Sequence, residues 1–332
     1  MRKPLSIASA SLDFADDTSD FADAVRTGLA ALQKVIPARF FYDHAGSQLF
    51  EAITGLPEYY PTRTEIGILT THAADIAAAV GPGRAVIEFG SGSSAKTPLL
   101  LRAIAPGAYV PVDISAEFLS QSATTLAAAF PNLPVLPVAA DFTTAFRLPP
   151  RVAAIPRLGF FPGSTLGNLA PAAAIDLLRR FAATLGPDSW LVIGLDLAPG
   201  PQKSPATLEA AYDDAQGVTA AFNRNLLHRI NRELAGTIEV DDFAHRAVWN
   251  PGLGRIEMHL VATCDTAFSA AGAHFTMTAG DYIHTENSYK WTLPEARLMA
   301  HASGWTPAAH WTDADARFSL HLWRRDTDAP QP

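Results

Sequence analysis

Apolar positions along this chain follow two periods. Phe21, Val25, Leu29 and Leu32 fall at helical spacing over 21–34. A turn at Asp43–Ser47 leads into a second helix. The stretch L56-P-E-Y-Y-P-T-R-T-E65 holds two prolines and two tyrosines and reads as poor helix and poor strand. Thr62 or Thr64 then caps a helix over 65–80. From there short apolar runs alternate with helical periods. Strands are predicted at 85–89, 109–113, 134–139, 156–161 and 190–195. Helices are predicted at 96–105, 115–129 (with Ser115 as cap) and 171–185. That alternation predicts an α/β fold with a parallel sheet and right-handed crossovers.

After Asp196 the pattern changes. Residues 197–205 are rich in proline and glycine and read as a loop. Residues 207–234 read as one long helical stretch. Alternating strands follow at 245–249, 255–263 and 274–277, an antiparallel α+β arrangement unlike the first half. A helix at 294–303 and strands at 305–311 and 318–323 predict an antiparallel end to the first sheet.

Composition narrows the class. The chain has 332 residues, 48% of them apolar and 17% charged, as in a soluble globular protein. A net charge of −8 argues against a general nucleic-acid or anionic-membrane surface. Cys264 is the only cysteine, so neither an internal disulfide nor a cysteine metal cluster is available, and its strand setting predicts a packing role. Ten histidines show no His-x-x-x-His pair, and no metal site is expected. No apolar run reaches the ~18 residues that span a bilayer, and the N-terminal apolar segment is too short for a signal peptide. A cytoplasmic protein is expected, with disorder over the first dozen residues and beyond Asp326.

The chemistry gathers at the carboxyl ends of the parallel strands, where open α/β sheets bind ligands. E88-F-G-S-G-S-S-A-K-T97 is a strand, a glycine turn and a helix start. Gly90 and Gly92 permit a tight turn and let a ligand approach bare N–H groups. The pattern fits both dinucleotides and S-adenosylmethionine. Asp113, at the end of the next strand, suits a ribose diol. Asp141 and Phe142, at the end of the third, suit an adenine amino group and ring face, which favours S-adenosylmethionine over NAD. Asn168 closes the G163-S-T-L-G-N turn, where its amide can hold a substrate carboxylate or amine. The tyrosines before the first strand suggest a lid or pocket wall, while Phe50 reads as core packing.

Eight stretches together resemble the histidine Nα-methyltransferases of ergothioneine biosynthesis, an S-adenosylmethionine-dependent family. They are F41-Y-D-H-A-G-S-Q-L-F50, L56-P-E-Y-Y-P-T-R-T-E65, E88–T97, G163-S-T-L-G-N-L169, A211-Y-D-D-A-Q-G-V-T-A-A-F-N-R-N225, N231-R-E-L234, R255-I-E-M258 and T285-E-N-S-Y-K290. The resemblance implies a class I methyltransferase (Rossmann-like) sheet, built from 66–198 and 290–326. It implies a second α+β substrate-binding domain from 12–65 and 199–289. It implies that Gly90, Lys96, Asp113, Asp141 and Phe142 bind S-adenosylmethionine, and that Asn168 and Tyr212 hold the substrate carboxylate. Tyr42 would sit at the reacting amine. Glu286 and Ser288 would bond an imidazole, with Tyr59 and Met258 beside them. No role follows for Asn287. The implied reaction is trimethylation of L-histidine to hercynine by a monomer, without metal. Methylation of tryptophan or another amino acid, and NAD(P)-dependent oxidoreduction on the same glycine turn, are the alternatives.

Overall fold

The computed structural model describes residues 17–92 and 96–325. The two chain ends expected to be disordered, and Ser93, Ser94 and Ala95 of the glycine turn, lie outside the described residues. In chain order the elements begin with α1 (Asp17–Ala30), β1 (Lys34–Val35), α2 (His44–Thr54) and α3 (Tyr60–Val80). Then come β2 (Ala85–Phe89), α4 (Thr97–Ile104), β3 (Ala108–Asp113), α5 (Ala116–Ala129) and β4 (Val138–Ala139). They continue through β5 (Arg157–Phe161), α6 (Pro171–Leu185), β6 (Trp190–Asp196), α7 (Pro205–Tyr212) and α8 (Val218–Glu233). The last are β7 (Phe243–Asn250), β8 (Arg255–Ala262), β9 (Thr266–Ala270), β10 (Ala273–Met277), β11 (Tyr282–Tyr289), α9 (Leu293–Ala302), β12 (Thr306–Thr312) and β13 (Phe318–Arg324).

The first sheet runs β12-β13-β6-β5-β2-β3-β4. β4, β3, β2, β5 and β6 are mutually parallel, and β13 joins β6 antiparallel with β12 outside it. This matches the expected α/β alternation with an antiparallel end. β2 is buried on both faces, which is why it reads as an apolar run interrupted only by Glu88. One apolar layer (Ile87, Phe89, Phe161, Leu177, Phe181) covers one face of the sheet, and another (Ile68, Ile76, Leu101, Leu158, Leu320) covers the other.

The second sheet runs β1-β11-β8-β7, antiparallel except for the short β1. Its apolar face joins α1, α2, α7 and α8 in a separate core that includes Phe21, Phe41, Leu226, Met258 and Leu260.

Five expectations need correction. α3 begins at Tyr60, not near Glu65; Pro61 sits in its first turn, where a missing N–H costs nothing. The stretch over 207–234 is two helices, because Asp214 accepts from the Val218 and Thr219 amides and starts a new one. The third parallel strand shrinks to Val138–Ala139 plus a bridge at Val135, and Ser115 sits at the α5 N-cap without a side-chain capping bond. Cys264 is exposed past the end of β8, so it does not pack. β9 and β11 are additional strands; β11 carries the T285-E-N-S stretch.

Candidate active site

Between the two cores, at the carboxyl ends of β2, β3 and β5, opens a cleft of about 470 Å³. Its lining includes Gly90, Lys96, Asp113, Asp141 and Phe142 on the side of the first sheet, with Tyr42, Phe50, Tyr59, Asn168 and Glu286 opposite. Residues far apart in the chain, drawn from both halves, therefore meet in one cavity.

The glycine turn is built as its sequence required. Gly90 (φ 74°) and Gly92 (φ 47°) hold positive φ. The Gly90 and Ser91 amides return to the Val112 carbonyl. A Cβ on Gly90 would stand 3.2 Å from Phe142 Cε1, so the glycine also makes room for that ring. Asp113 accepts from the Gly92 and Ser115 amides, both at 3.0 Å. Burial nevertheless raises its carboxyl above the ordinary value. Asp141 Oδ1 accepts from the Thr143 amide (2.8 Å) and hydroxyl (2.6 Å), an Asx turn that fixes the carboxyl at the cleft edge.

Lys96 faces the cleft but is anchored by Glu65, 2.5 Å away and fully buried. Glu65 also accepts from the Gly163 amide at 2.9 Å. The reading of the sequence assigned no site role to Glu65. The one signal for it is Gly194 across the packing layer: a Cβ there would collide with Glu65 Oε1. Glu88, beneath the turn, accepts from Thr97 and Tyr109, and burial lifts its carboxyl to about 7.

On the opposite wall four polar groups reach the cleft without protein partners among the described residues: the Tyr42 and Tyr59 hydroxyls, the Asn168 amide and the Glu286 carboxyl. Asn168 ends a 3-10 turn (Thr165–Asn168) pressed onto β11; a Cβ on Gly167 would lie 2.8 Å from the Tyr289 carbonyl. Glu286 is aimed by a bulge in β11, where the register with β8 shifts between His284 and Glu286. Thr285 pins the bulge by donating to Asn223 (2.8 Å) or the Met258 carbonyl (3.0 Å). Burial raises Glu286 to about 7, with Lys290 the opposing influence. Burial first, and then Glu286, push the Tyr42 hydroxyl well above 10. Tyr59 is likewise raised by burial and by Tyr212. Tyr42, Phe50 and Tyr59 meet edge to face at 5.7 and 6.3 Å, so Phe50 is cleft wall as well as core.

Met258, Tyr212 and Ser288 are not among the lining residues. Met258 is buried as the cross-strand partner of Glu286. The Tyr212 and Ser288 hydroxyls bond each other at 2.7 Å, behind the Tyr59 ring. Lys290 Nζ donates to both, at 2.9 and 2.8 Å, and pairs with Asp196 at 2.7 Å. Asp196, at the end of β6, also binds Lys203 (2.5 Å) and the Tyr60 hydroxyl (2.8 Å). Burial alone would raise Asp196; the two ammonium groups outweigh it and hold it below the ordinary carboxylate value. Sequence reasoning missed this network because its members lie on separate elements.

The outer face of β8 and β11 brings together Glu257, His259 and His284, three groups of metal-ligating type that no sequence spacing had suggested. Their contacts are protein ones. Glu257 is bonded by His259 (3.1 Å), Arg255 (2.9 Å) and Asn250 (2.9 Å). His284 Nε2 meets Asn287 Oδ1 at 2.9 Å, which gives Asn287 a place as a brace across the bulge.

The sequence model of one family, described as "Histidine-specific methyltransferase, SAM-dependent", matches residues 21–325. The chain belongs to that family. It is 41% identical to the histidine N-alpha-methyltransferase of Mycolicibacterium smegmatis, over 90% of this chain and 92% of that one. With the enzyme of the same name from Mycobacterium tuberculosis it shares 38% identity over 90% and 92% of the two chains. The Ergothioneine biosynthesis protein 1 of Neurospora crassa is 28% identical over 86% of this chain and 33% of its own length. The seven-stranded sheet is thus a class I methyltransferase sheet, and the methyl donor of this methyltransferase is S-adenosylmethionine. The cleft fits that donor: the glycine turn, the acids Asp113 and Asp141 at the ends of β3 and β4, and the Phe142 ring all line it, although the Gly90, Ser91 and Gly92 amides, expected to be bare, are taken by the Val112 carbonyl and Asp113.

Proposed function

We propose that the protein transfers methyl groups from S-adenosylmethionine to the α-amine of L-histidine, three times in succession, giving hercynine for ergothioneine biosynthesis. The observation that carries the substrate is Glu286, a nearly buried carboxyl that faces the cleft with no protein partner among the described residues. Such a group is costly unless a ligand satisfies it, and an imidazole N–H does so.

On this reading Gly90, Lys96, Asp113, Asp141 and Phe142 hold the donor, which supplies an electrophilic sulfonium methyl. Asn168 holds the α-carboxylate with help from Tyr212. Glu286 and Ser288 take the imidazole, beside Tyr59 and Met258. Tyr42 serves the amine. An ammonium has no lone pair, so the amine must be neutral at each transfer. Tyr42 is held protonated by burial, so its oxygen orients the amine as a hydrogen-bond acceptor and does not serve as a strong base at ordinary pH. The trimethylated product has no N–H left to offer. Only ring faces can hold it, and Tyr42, Phe50 and Tyr59 supply them. Catalysis then rests on orientation of the amine against the donor methyl.

The same reading assigns 66–198 and 290–326 to donor binding and 12–65 and 199–289 to substrate binding. It makes the enzyme a cytoplasmic monomer without nucleic-acid or membrane partners. The charge of −8 weighs against a general nucleic-acid or anionic-membrane surface, and no helix among the described residues is long and apolar enough to cross a membrane.

The test is mass spectrometry after incubation with S-adenosylmethionine and an equimolar mixture of the twenty amino acids. Histidine alone should gain up to three methyl groups. Methylation of tryptophan or another amino acid in its place would refute the substrate assignment.

A further inference from the structure

The bulge in β11 that aims Glu286 also gathers side chains on the other face of the sheet. In a regular strand, residues three apart point to opposite sides. Across the bulge His284 and Asn287 share one side, because His284 pairs with His259 of β8 and Asn287 with Glu257. His259 and Glu257, two residues apart, lie on that same face. Glu286 pairs with Met258 and takes the opposite one. Four polar side chains thus form a square, and Glu257, His259 and His284 are buried.

The hydrogens of this square leave a gap. Asn287 Oδ1 can only accept, so the His284 Nε2 that meets it at 2.9 Å carries the hydrogen. In a neutral ring Nδ1 is then bare. That nitrogen faces Glu257 Oε2 at 3.7 Å, lone pair towards carboxylate. Glu257 Oε1 takes Arg255 and Asn250, so Oε2 is the oxygen left to the two rings. His259 Nε2 lies 3.1 Å from it, with its ring stacked on Tyr282 at 4.1 Å. Burial holds both rings below the ordinary histidine value, His259 at about 4, so both are neutral. Two acceptors turned towards each other in a buried place carry a cost that a cation removes.

We infer that Glu257 Oε2, His259 Nε2 and His284 Nδ1 form a binding site for a divalent metal ion of the zinc class, which clamps β8 to β11 behind the substrate wall. The three residues offer ligand atoms within 4.8 Å of one another. Ligands of one tetrahedral zinc stand about 3.4 Å apart, so small side-chain turns close the set. His259 moves its hydrogen from Nε2 to Nδ1 as it ligates, and no proton leaves the ring. Asn287, on the far nitrogen of His284, is the kind of outer partner that fixes a ligating histidine. His284 and Asn287 also line the cleft, which gives an ion its way in. Arg255, and Arg246 opposite His259 on β7, repel any cation here. Mg2+ and Ca2+, which need several oxygens, gain too little against that repulsion, whereas an ion that bonds imidazole nitrogen gains enough. The site uses no residue assigned to methyl transfer, so it stands or falls apart from that reading.

The test takes the full, untagged chain, strips it with a chelator and titrates it with Zn2+ by calorimetry and with Co2+ by visible absorption. One equivalent of either should bind, Zn2+ should raise Tm, and excess Mg2+ or Ca2+ should not displace it. His259→Gln and His284→Gln should each weaken Zn2+ on the order of a hundredfold. Asn287→Ala, which keeps all three ligands, should weaken it about tenfold. His310→Gln, which breaks the His310–His321 stack elsewhere on the surface, should leave the first equivalent unchanged. A wild type that takes up no zinc overturns the site, as does an affinity unchanged in both His259→Gln and His284→Gln. Should those two variants fail to fold, X-ray absorption of zinc bound to the His310→Gln chain decides: two imidazoles in the metal shell support the site, and fewer overturn it.

Discussion

Glu286 is the residue on which the proposed substrate contact and stability meet. Its carboxyl is raised from 4.5 to about 7 by burial, so the folded state holds the proton more tightly than the unfolded chain does. Stability is therefore lost as pH rises from about 4.5 through about 7, and the cost is complete above that window. Glu286→Gln removes the titration. The variant should be more stable than wild type by on the order of 3 kcal/mol at pH 8, and the gain should shrink towards pH 5. Urea unfolding at the two pH values measures this; an equal gain at both would show that the charge is not the cause. The activity of the wild type should climb through the same window, because the ionised carboxyl is the stronger acceptor for an imidazole N–H. Several such residues were legible in the sequence, since Asp113, Asp141 and Asn168 end elements whose period is plain. Glu65 and Lys290 were not, because their meaning lies in partners on other elements: Lys96 and Gly163 for one, Asp196 and Tyr212 for the other.

At the level of elements, two irregular pieces aim the substrate wall: the bulge in β11 and the 3-10 turn that carries Asn168. They touch at Gly167, where a side chain would press on the Tyr289 backbone. Gly167→Ala should push the turn off the strand and move Asn168. We expect kcat/KM for histidine to fall on the order of a hundredfold, as for an ångström-scale misplacement, while donor affinity stays within about twofold. Steady-state kinetics beside calorimetry reads both, and parallel loss of donor affinity would mean that the turn serves the whole cleft. Regular elements with strong periodicity, such as β2 and α6, were read from sequence almost to the residue. α3 was misjudged at its start because Pro61 looks like a breaker and is instead a first-turn residue. β11 was not predicted as a strand because its polar run T285-E-N-S serves a site and not a core.

Across the whole molecule, the cleft lies between two separately packed cores, so ligands bind where those cores face each other. S-adenosylmethionine at a hundred times its Kd should stabilise the fold by about 2.7 kcal/mol, and histidine added with S-adenosylhomocysteine should raise Tm further. Scanning calorimetry would reveal the opposite, histidine acting with no product cofactor dependence, if the two sites were independent. The division into an α/β half and an antiparallel half was visible as a change of period after Asp196. The way the halves share one cavity was not, since that depends on tertiary contacts across hundreds of residues.

The strand order has a further consequence, for biosynthesis. β6 has β5 on one side from the start, but its other neighbour is β13, and three of the four strands of the smaller sheet (β7, β8 and β11) are encoded between them. During translation the open edge of β6, apolar from Leu191 to Leu195, waits while β7 to β11 emerge from the ribosome. A stalled or truncated chain that lacks β13 would therefore expose an unpaired central edge, the kind of surface that chaperones cover and that seeds aggregates.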